Sequence, residues 1–333
     1  MLEKLKNIAP TLPLFATDTA NPALSVLDQY SAYRISGDDA ETFLQGQLSN
    51  DVKQLADGQR GQLTSYCTPK GRMLALFYLM KAESGYIAIM PSAIAESVFK
   101  RLQMFIMRSK VEISPLADDY SLLGLHQADS LLSQELTPSD SAYTIASQGN
   151  NFSMRIAGQP SRLLLLADDD LANKLTQDES LLVSNDRWQL ADIEAGIPNI
   201  FAKTQESFVP QMTNLELIDG VNFRKGCYPG QEVVARLHYL GTAKRRMYRL
   251  AINASEMLEI NAEVFVEGSE QAIGHIVNAV ELEPGLYNAL AVLRVEHASN
   301  DLLHTDYSSN IEQLKLPYSL ISESEADNKA GEK

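Results

Sequence analysis

The sequence predicts an α+β protein in which an interleaved α/β region is followed by a small C-terminal β-barrel. Three observations carry that expectation. Helical and strand periodicities alternate irregularly through the first 243 residues, which favours packed α+β layers over a regular parallel sheet. From Lys244 onward only short alternating runs occur, broken by Gly268, Gly274 and Gly285, as in a barrel. The chain's 333 residues exceed what one core ordinarily serves, so two or three domains are expected.

In order, residues 30–35 alternate as a strand, and Gly37-Asp38-Asp39-Ala40-Glu41 opens a helix. Asp38 and Glu41 are spaced as a capping box, with Ala40, Phe43, Leu44 and Leu48 on the apolar face. Residues 63–67 and 73–80 flank Thr68-Pro69-Lys70-Gly71, whose proline and glycine suit a tight turn. That hairpin stands Lys70 and Arg72 at its tip. Residues 86–90 form a strand before a helix capped by Ser92, with Ile94, Val98, Leu102, Phe105 and Ile106 on one face. Strands follow near 111–113, 120–125, 143–146, 152–156 and 162–166, with a turn at Gly149-Asn150 and a helix over 168–175. Ser184-Asn185 caps a helix through Trp188, Ala191 and Glu194, which Gly196 ends. The barrel strands fall at 247–252, 262–266, 273–280 and 290–295. The expected organisation is residues 1–243 as the interleaved region in two discontinuous subdomains, 244–320 as the barrel, and 321–333 as a disordered polar tail.

Composition narrows the function. A hydrophobic content of 45% and a charged content of 21% are those of an ordinary globular protein. A net charge of −15 argues against a whole-molecule phosphate-backbone binder, so strong direct tRNA binding is not expected. Between Arg224 and Arg249 the balance reverses: Arg224, Lys225, Arg236, Lys244, Arg245, Arg246 and Arg249 face one carboxylate, Glu232. That stretch is either a site for a small anion or a solvated face. Two cysteines, Cys67 and Cys227, cannot hold an iron–sulfur cluster alone, and no histidine is spaced with them for zinc. Neither a signal peptide nor an apolar run of about 18 residues is present, so a cytoplasmic protein without a membrane span is expected.

The sharpest local feature is Phe223-Arg224-Lys225-Gly226-Cys227-Tyr228-Pro229-Gly230-Gln231-Glu232. Pro229 suits the first position of a helix, Val233, Val234, Leu237 and Leu240 recur at helical spacing, and Gly241 would close it. Cys227 would then lie beside the positive end of that helix and two residues from Lys225, both of which favour thiolate. The alternative is a cysteine packed as a small hydrophobe, which the flanking glycines and polar residues disfavour. Trp188, the single tryptophan, lies on a helix with Asp192 and Glu194 and reads either as core or as a platform for a flat heteroaromatic ring.

The run Lys225-Gly226-Cys227-Tyr228-Pro229-Gly230-Gln231-Glu232 resembles the signature of the YgfZ folate-binding proteins, relatives of the glycine-cleavage T protein. Gln45-Gly46-Gln47-Leu48-Ser49-Asn50-Asp51-Val52, Lys70-Gly71-Arg72, Ile193-Glu194-Ala195-Gly196-Ile197-Pro198 and Pro210-Gln211-Met212-Thr213-Asn214-Leu215 resemble family segments in the same order. The resemblance implies interleaved α/β domains of the T-protein type followed by a barrel. It implies tetrahydrofolate as cofactor and a role in supporting iron–sulfur enzymes, among them the one that methylthiolates tRNA. It places the reactive cysteine and its lysine on Cys227 and Lys225, and folate contacts on Trp188 and on Tyr30, where the best-known relative has a tryptophan.

With that role, Lys225 would lower the thiol pKa or hold an anion, and Gly226 and Gly230 would let the backbone turn closely around the sulfur. Tyr228, Gln231 and Glu232 would support the motif. The rival from another class is a folate-dependent aminomethyltransferase or demethylase using a carboxylate such as Asp51, Asp192 or Glu194. A third reading is a pure adaptor.

Overall fold

Leucine and alanine fill residues 163–167, and a run apolar on both faces must be a central strand. In the computed structural model, which describes residues 12–15, 22–116, 120–299, 303–308 and 310–320, it is one. Numbered along the chain, the first sheet holds β1 (Ala23–Val26), β7 (Tyr120–His126), β8 (Ile145–Gln148), β9 (Asn151–Ile156), β10 (Arg162–Asp168) and β11 (Leu182–Val183). Their order is β11-β1-β7-β10-β9-β8, with only β1 and β11 parallel.

A second sheet orders β2 (Tyr30–Ser36), β3 (Gln62–Cys67), β4 (Met73–Ala82), β5 (Gly85–Pro91) and β6 (Glu112–Pro115) as β3-β4-β5-β2-β6. The third comprises β12 (Arg245–Asn253), β13 (Glu263–Val266), β14 (Gly274–Glu283), β15 (Leu286–Arg294), β16 (Leu303–His304) and β17 (Asn310–Leu314). Its order is β16-β13-β14-β15-β12-β17, and the two edge strands touch, so it is a nearly closed antiparallel barrel. The helices are α1 (Ala40–Gln45), α2 (Ser92–Gln103), α3 (Asp169–Leu175), α4 (Asn185–Ala195) and α5 (Gln231–Leu240).

The chain divides into two compact units. One takes the described residues of 1–45, 51–63 and 77–191, and the other those of 46–50, 64–76 and 192–333. In the first, Leu24, Val26, Leu123, Leu125, Leu163 and Leu165 form a core under Ala172 and Leu175 of α3. In the second, Leu250, Ile252, Ile276, Ala289, Leu293 and Ile311 fill the barrel. The second unit thus owns the tip of the β3–β4 hairpin, whose turn forms as expected: the Gly71 amide donates to the Thr68 carbonyl at 2.9 Å and Gly71 takes φ +73°.

Several expected ends move. The capping box at Asp38 and Glu41 does not form, because Lys110 takes both aspartates: its ammonium meets Asp38 at 2.9 Å and its amide donates to Asp39 at 2.7 Å. Glu41 instead accepts from the Tyr86 hydroxyl. α1 stops at Gln45, leaving Leu48 bridged to Tyr66. Ser92 is the first helical residue of α2, and its hydroxyl donates to the Asp28 carbonyl instead of capping. α2 ends at Gln103, so Phe105 and Ile106 lie beyond it and Phe105 is exposed. The expected tail, 321–333, lies outside the described residues. Among the described residues, no helix is long and apolar enough to cross a membrane.

Candidate functional site: a pinned loop carrying an exposed thiol

The loop that carries Cys227 is built by short polar side chains. Asn222 bends it, its carboxamide oxygen accepting from the amides of Arg224 at 2.8 Å and Lys225 at 3.1 Å. The Asn222 amide donates to the Ser49 carbonyl at 3.1 Å. Ser49 is a hub: its hydroxyl donates to the Gly220 carbonyl at 3.0 Å and accepts from the Ser65 amide at 2.9 Å and hydroxyl at 2.8 Å. Beside it, the Asn50 carboxamide donates to the Asp219 carbonyl at 2.6 Å. Ser49, Asn50, Thr64 and Ser65 are all buried, and sequence reasoning gave none of them a role. The available signal was a polar run, Thr64-Ser65, inside a strand with a buried side chain at every position.

Lys225 is buried too. Its ammonium donates to the carbonyls of Leu48 at 2.6 Å and Asn50 at 3.0 Å and lies 5.3 Å over the Tyr228 ring. A buried ammonium must be bonded, and here it is bonded to backbone, so it ties the loop to residues 48–50. The Lys225 carbonyl accepts from the Gln231 side chain at 3.3 Å.

Gly230 fixes the other end. It takes φ +82°, and a Cβ there would lie 2.5 Å from the Gly71 Cα and from the Thr68 carbonyl oxygen. Two backbones therefore touch where no side chain fits, which seats the Lys70 turn against the start of α5. This contact moves the helix start: Gly230 is the N-cap and α5 begins at Gln231, two residues after the expected Pro229. Gly241 follows Leu240 in an extended conformation with φ −132°. A side chain at Gly226 would meet nothing within 4 Å beyond its two chain neighbours.

Between these anchors Cys227 is exposed. Neither feature expected to polarise it sits where the sequence put it: the helix begins four residues later, and the Lys225 ammonium is turned onto carbonyls. Cys67, by contrast, is buried, with Ser65 Oγ 3.5 Å from its sulfur, and burial pushes its thiol up to about 12. Tyr228 is buried as well, and burial, with the neighbouring Cys67 as a smaller cause, raises its hydroxyl well above the ordinary phenol range.

The seven cations of 224–249 divide in the same way. Lys225 is spent on backbone, Arg246 is buried against Glu216, and Arg249 lies 3.8 Å from Glu194 while its Nε donates to Asn288. Arg224, Arg236 and Lys244 are exposed and Arg245 is half-buried. The unit is braced behind them: Gln211 donates to the Val234 carbonyl of α5 at 2.6 Å, and Asn214 to the Met247 carbonyl of β12 at 2.7 Å.

The aromatic candidates lie in the first unit. Trp188, on α4, is fully buried. A Cβ at Gly124 of β7 would meet its ring at 2.4 Å, the Arg162 guanidinium lies 4.7 Å from the ring centroid, and His126 meets its edge at 5.7 Å. No open face remains for a stacking ligand, although its indole N–H is buried without a hydrogen-bond partner among the described residues. Burial and the charges of Arg187 and Arg162 hold His126 neutral, well below the usual histidine range. Tyr30 lines a cavity of about 300 Å³ with Tyr33, Tyr120, Ser31, Ser92 and Ser121, among aliphatic side chains such as Leu27, Leu122 and Leu166.

Of the carboxylates offered for the rival enzyme, Asp51 caps the short helix Val52–Leu55, Asp192 is buried and Glu194 faces Arg249. Among the described residues no group of histidine, cysteine and carboxylate side chains could hold a metal ion.

No protein-family model matches the chain. It is similar to the solved glycine cleavage system aminomethyltransferase T from Bartonella henselae, with 17% identity, a TM-score of 0.70, and 89% of this chain and 86% of that one covered. Heterotetrameric sarcosine oxidase from Corynebacterium sp. U-96 matches over 53% of this chain and 90% of that one at 11% identity, with a TM-score of 0.34. The mixed α/β region with its nearly closed C-terminal barrel is therefore the glycine-cleavage T-protein fold.

Proposed function

We propose that this chain is a cytoplasmic, folate-binding accessory protein that supports iron–sulfur enzymes, the tRNA methylthiotransferase among them, with Cys227 as its reactive group. The observation that carries the reading is the contrast in construction: a thiol open to solvent on a loop held rigid by Lys225, Asn222 and Gly230, inside a T-protein fold. The YgfZ-like signature Lys225 to Glu232 supports it. Cys227 replaces a thiolate bound to the sulfur or iron that the partner presents, giving its proton to the thiolate that leaves, and a thiol on a pinned loop loses little freedom when it does so. Lys225 acts as the anchor of that loop, with Tyr228 and Gln231 packed and bonded around it and Glu232 in the first turn of α5.

Tetrahydrofolate, when bound, supplies one-carbon chemistry or stabilises one conformation. Tyr30 and the cavity beside it, with its tyrosine rings and serine hydroxyls, offer the stacking surface, whereas Trp188 is fully enclosed and does not line that cavity. The test replaces Cys227 with Ser in cells lacking the native copy and measures methylthiolated tRNA. Loss of the modification is expected, and full rescue overturns the reading.

One observation favours a second reading: the fold is shared with an aminomethyltransferase. Formation of methylene-tetrahydrofolate from an amine substrate, abolished by substituting Asp192 or Glu194 and untouched by Cys227→Ser, would establish it.

A further inference from the structure

A helix on a protein surface ordinarily turns its apolar residues inward. α5 does this at Val234, which is fully buried, yet it leaves Val233, Tyr239 and Leu240 outward, Tyr239 at 62% and Leu240 at 84% exposure. Val233, Arg236 and Leu240 fall at i, i+3 and i+7, so they share one face. Next to it, Phe223 and His238 stack in parallel with centroids 3.7 Å apart, and Tyr239 meets both rings edge-on. Burial holds His238 below the usual histidine range, so this cluster behaves as apolar surface. Around the patch stand Lys70, Arg224, Arg236 and Lys244, all exposed, none ion-paired among the described residues, in a chain whose net charge is −15.

The other exposed apolar turn, Met104, Phe105 and Met107 after α2, offers a useful contrast. Its neighbouring lysines are already paired, Lys100 with Glu96 and Lys110 with Asp38, which leaves Arg108 as its one exposed cation without an ion pair among the described residues. On and beside α5 four such cations stand against one exposed carboxylate, Glu232.

We propose that the outer face of α5 is a docking surface for an acidic amphipathic helix of a protein partner, laid beside Cys227. The aliphatic side chains favour protein over nucleic acid, since Val233 and Leu240 have no counterpart on a phosphate backbone. Carboxylates on the partner complement Arg236, Arg224 and Lys244, and its leucine face covers Leu240 and Tyr239. The inference rests on the reading that Cys227 meets a protein partner, and it names the chemistry by which that partner is held.

The test uses the full chain and two labelled synthetic helices of equal length, one of Leu and Glu, the other of Leu and Lys, followed by fluorescence anisotropy. The Leu/Glu helix should bind at least tenfold tighter than the Leu/Lys helix, weaken severalfold between 50 and 300 mM salt, and slow alkylation of Cys227 by iodoacetamide. Arg236→Glu and Leu240→Asp should each weaken it about tenfold, with Tyr239→Ser as a milder variant, while Met104→Asp should change nothing. Equal binding of the two helices, or indifference to the α5 substitutions, overturns the proposal. So does bulk tRNA binding that Arg236→Glu weakens while the helix does not bind at all. Cys227→Ser should leave helix binding intact, so full rescue of tRNA modification by that variant would sink the thiol role and leave the docking surface standing.

Discussion

Trp188 and Cys227 are both single conspicuous residues, and the fold treats them oppositely. The indole is surrounded, with Gly124, Arg162 and His126 each touching it, so its contribution is to packing and to one unpartnered N–H. The thiol is exposed, and its loop is held largely through backbone groups: carbonyls take the Lys225 ammonium, and glycine meets glycine at Gly71 and Gly230. The difference teaches that rigidity at a reactive site does not require burial of the reactive group. A loop can be held by its main chain and leave one side chain free for visitors.

The strongest way to break this comparison is Trp188→Ala. A fully enclosed indole predicts a loss of about 3–5 kcal/mol in chemical denaturation, with Cys227 alkylation unchanged in the folded protein. A loss under about 1 kcal/mol would mean the ring is not packed as described. Next comes Gly230→Ala, where a left-handed backbone and a contact onto Gly71 predict about 2–3 kcal/mol of destabilisation. Here the alkylation rate of Cys227 should change together with stability, because the loop loses its seat.

The smallest effect sharpens the first region alone. The unfolded chain takes up a proton on His126 near pH 6.5, whereas the folded chain keeps that imidazole neutral. Stability should therefore fall as pH drops below about 6.5 and go on falling until the folded histidine itself protonates, by about 1 kcal/mol near pH 5.5. His126→Gln should remove that part of the pH profile, and an unaltered profile would show that another group carries it.

Much of the fold was legible because local chemistry and tertiary structure agreed. Thr68-Pro69-Lys70-Gly71 made its turn, residues 162–168 made a buried strand, and the Gly-punctuated C-terminal runs made a barrel. Errors arose where a distant residue outbid a local preference. Pro229 had the right chemistry for a helix start, but the Gly71 backbone set the start at Gly230, about 160 residues away in sequence. Asp38 had the right chemistry for a cap, but Lys110 claimed it. β1, β11, β16 and β17 were missed because short strands gain their identity from pairing partners. At the candidate site, the exposure of Cys227 was legible from its glycines and polar neighbours, but the bonding of Lys225 was not, since its partners are carbonyls and carbonyls leave no mark in a sequence.

The seam between the Lys70 turn and Gly230 also bears on how the molecule is made. Residues 64–76 leave the ribosome early, yet the surface they must meet emerges about 150 residues afterwards, roughly ten to thirty seconds of synthesis. Until then the hairpin tip has nothing to rest on, and the second unit cannot close. Nascent chains stalled shortly before residue 230 should therefore leave that tip open to proteases or to chaperones, in a molecule whose first unit has already been translated.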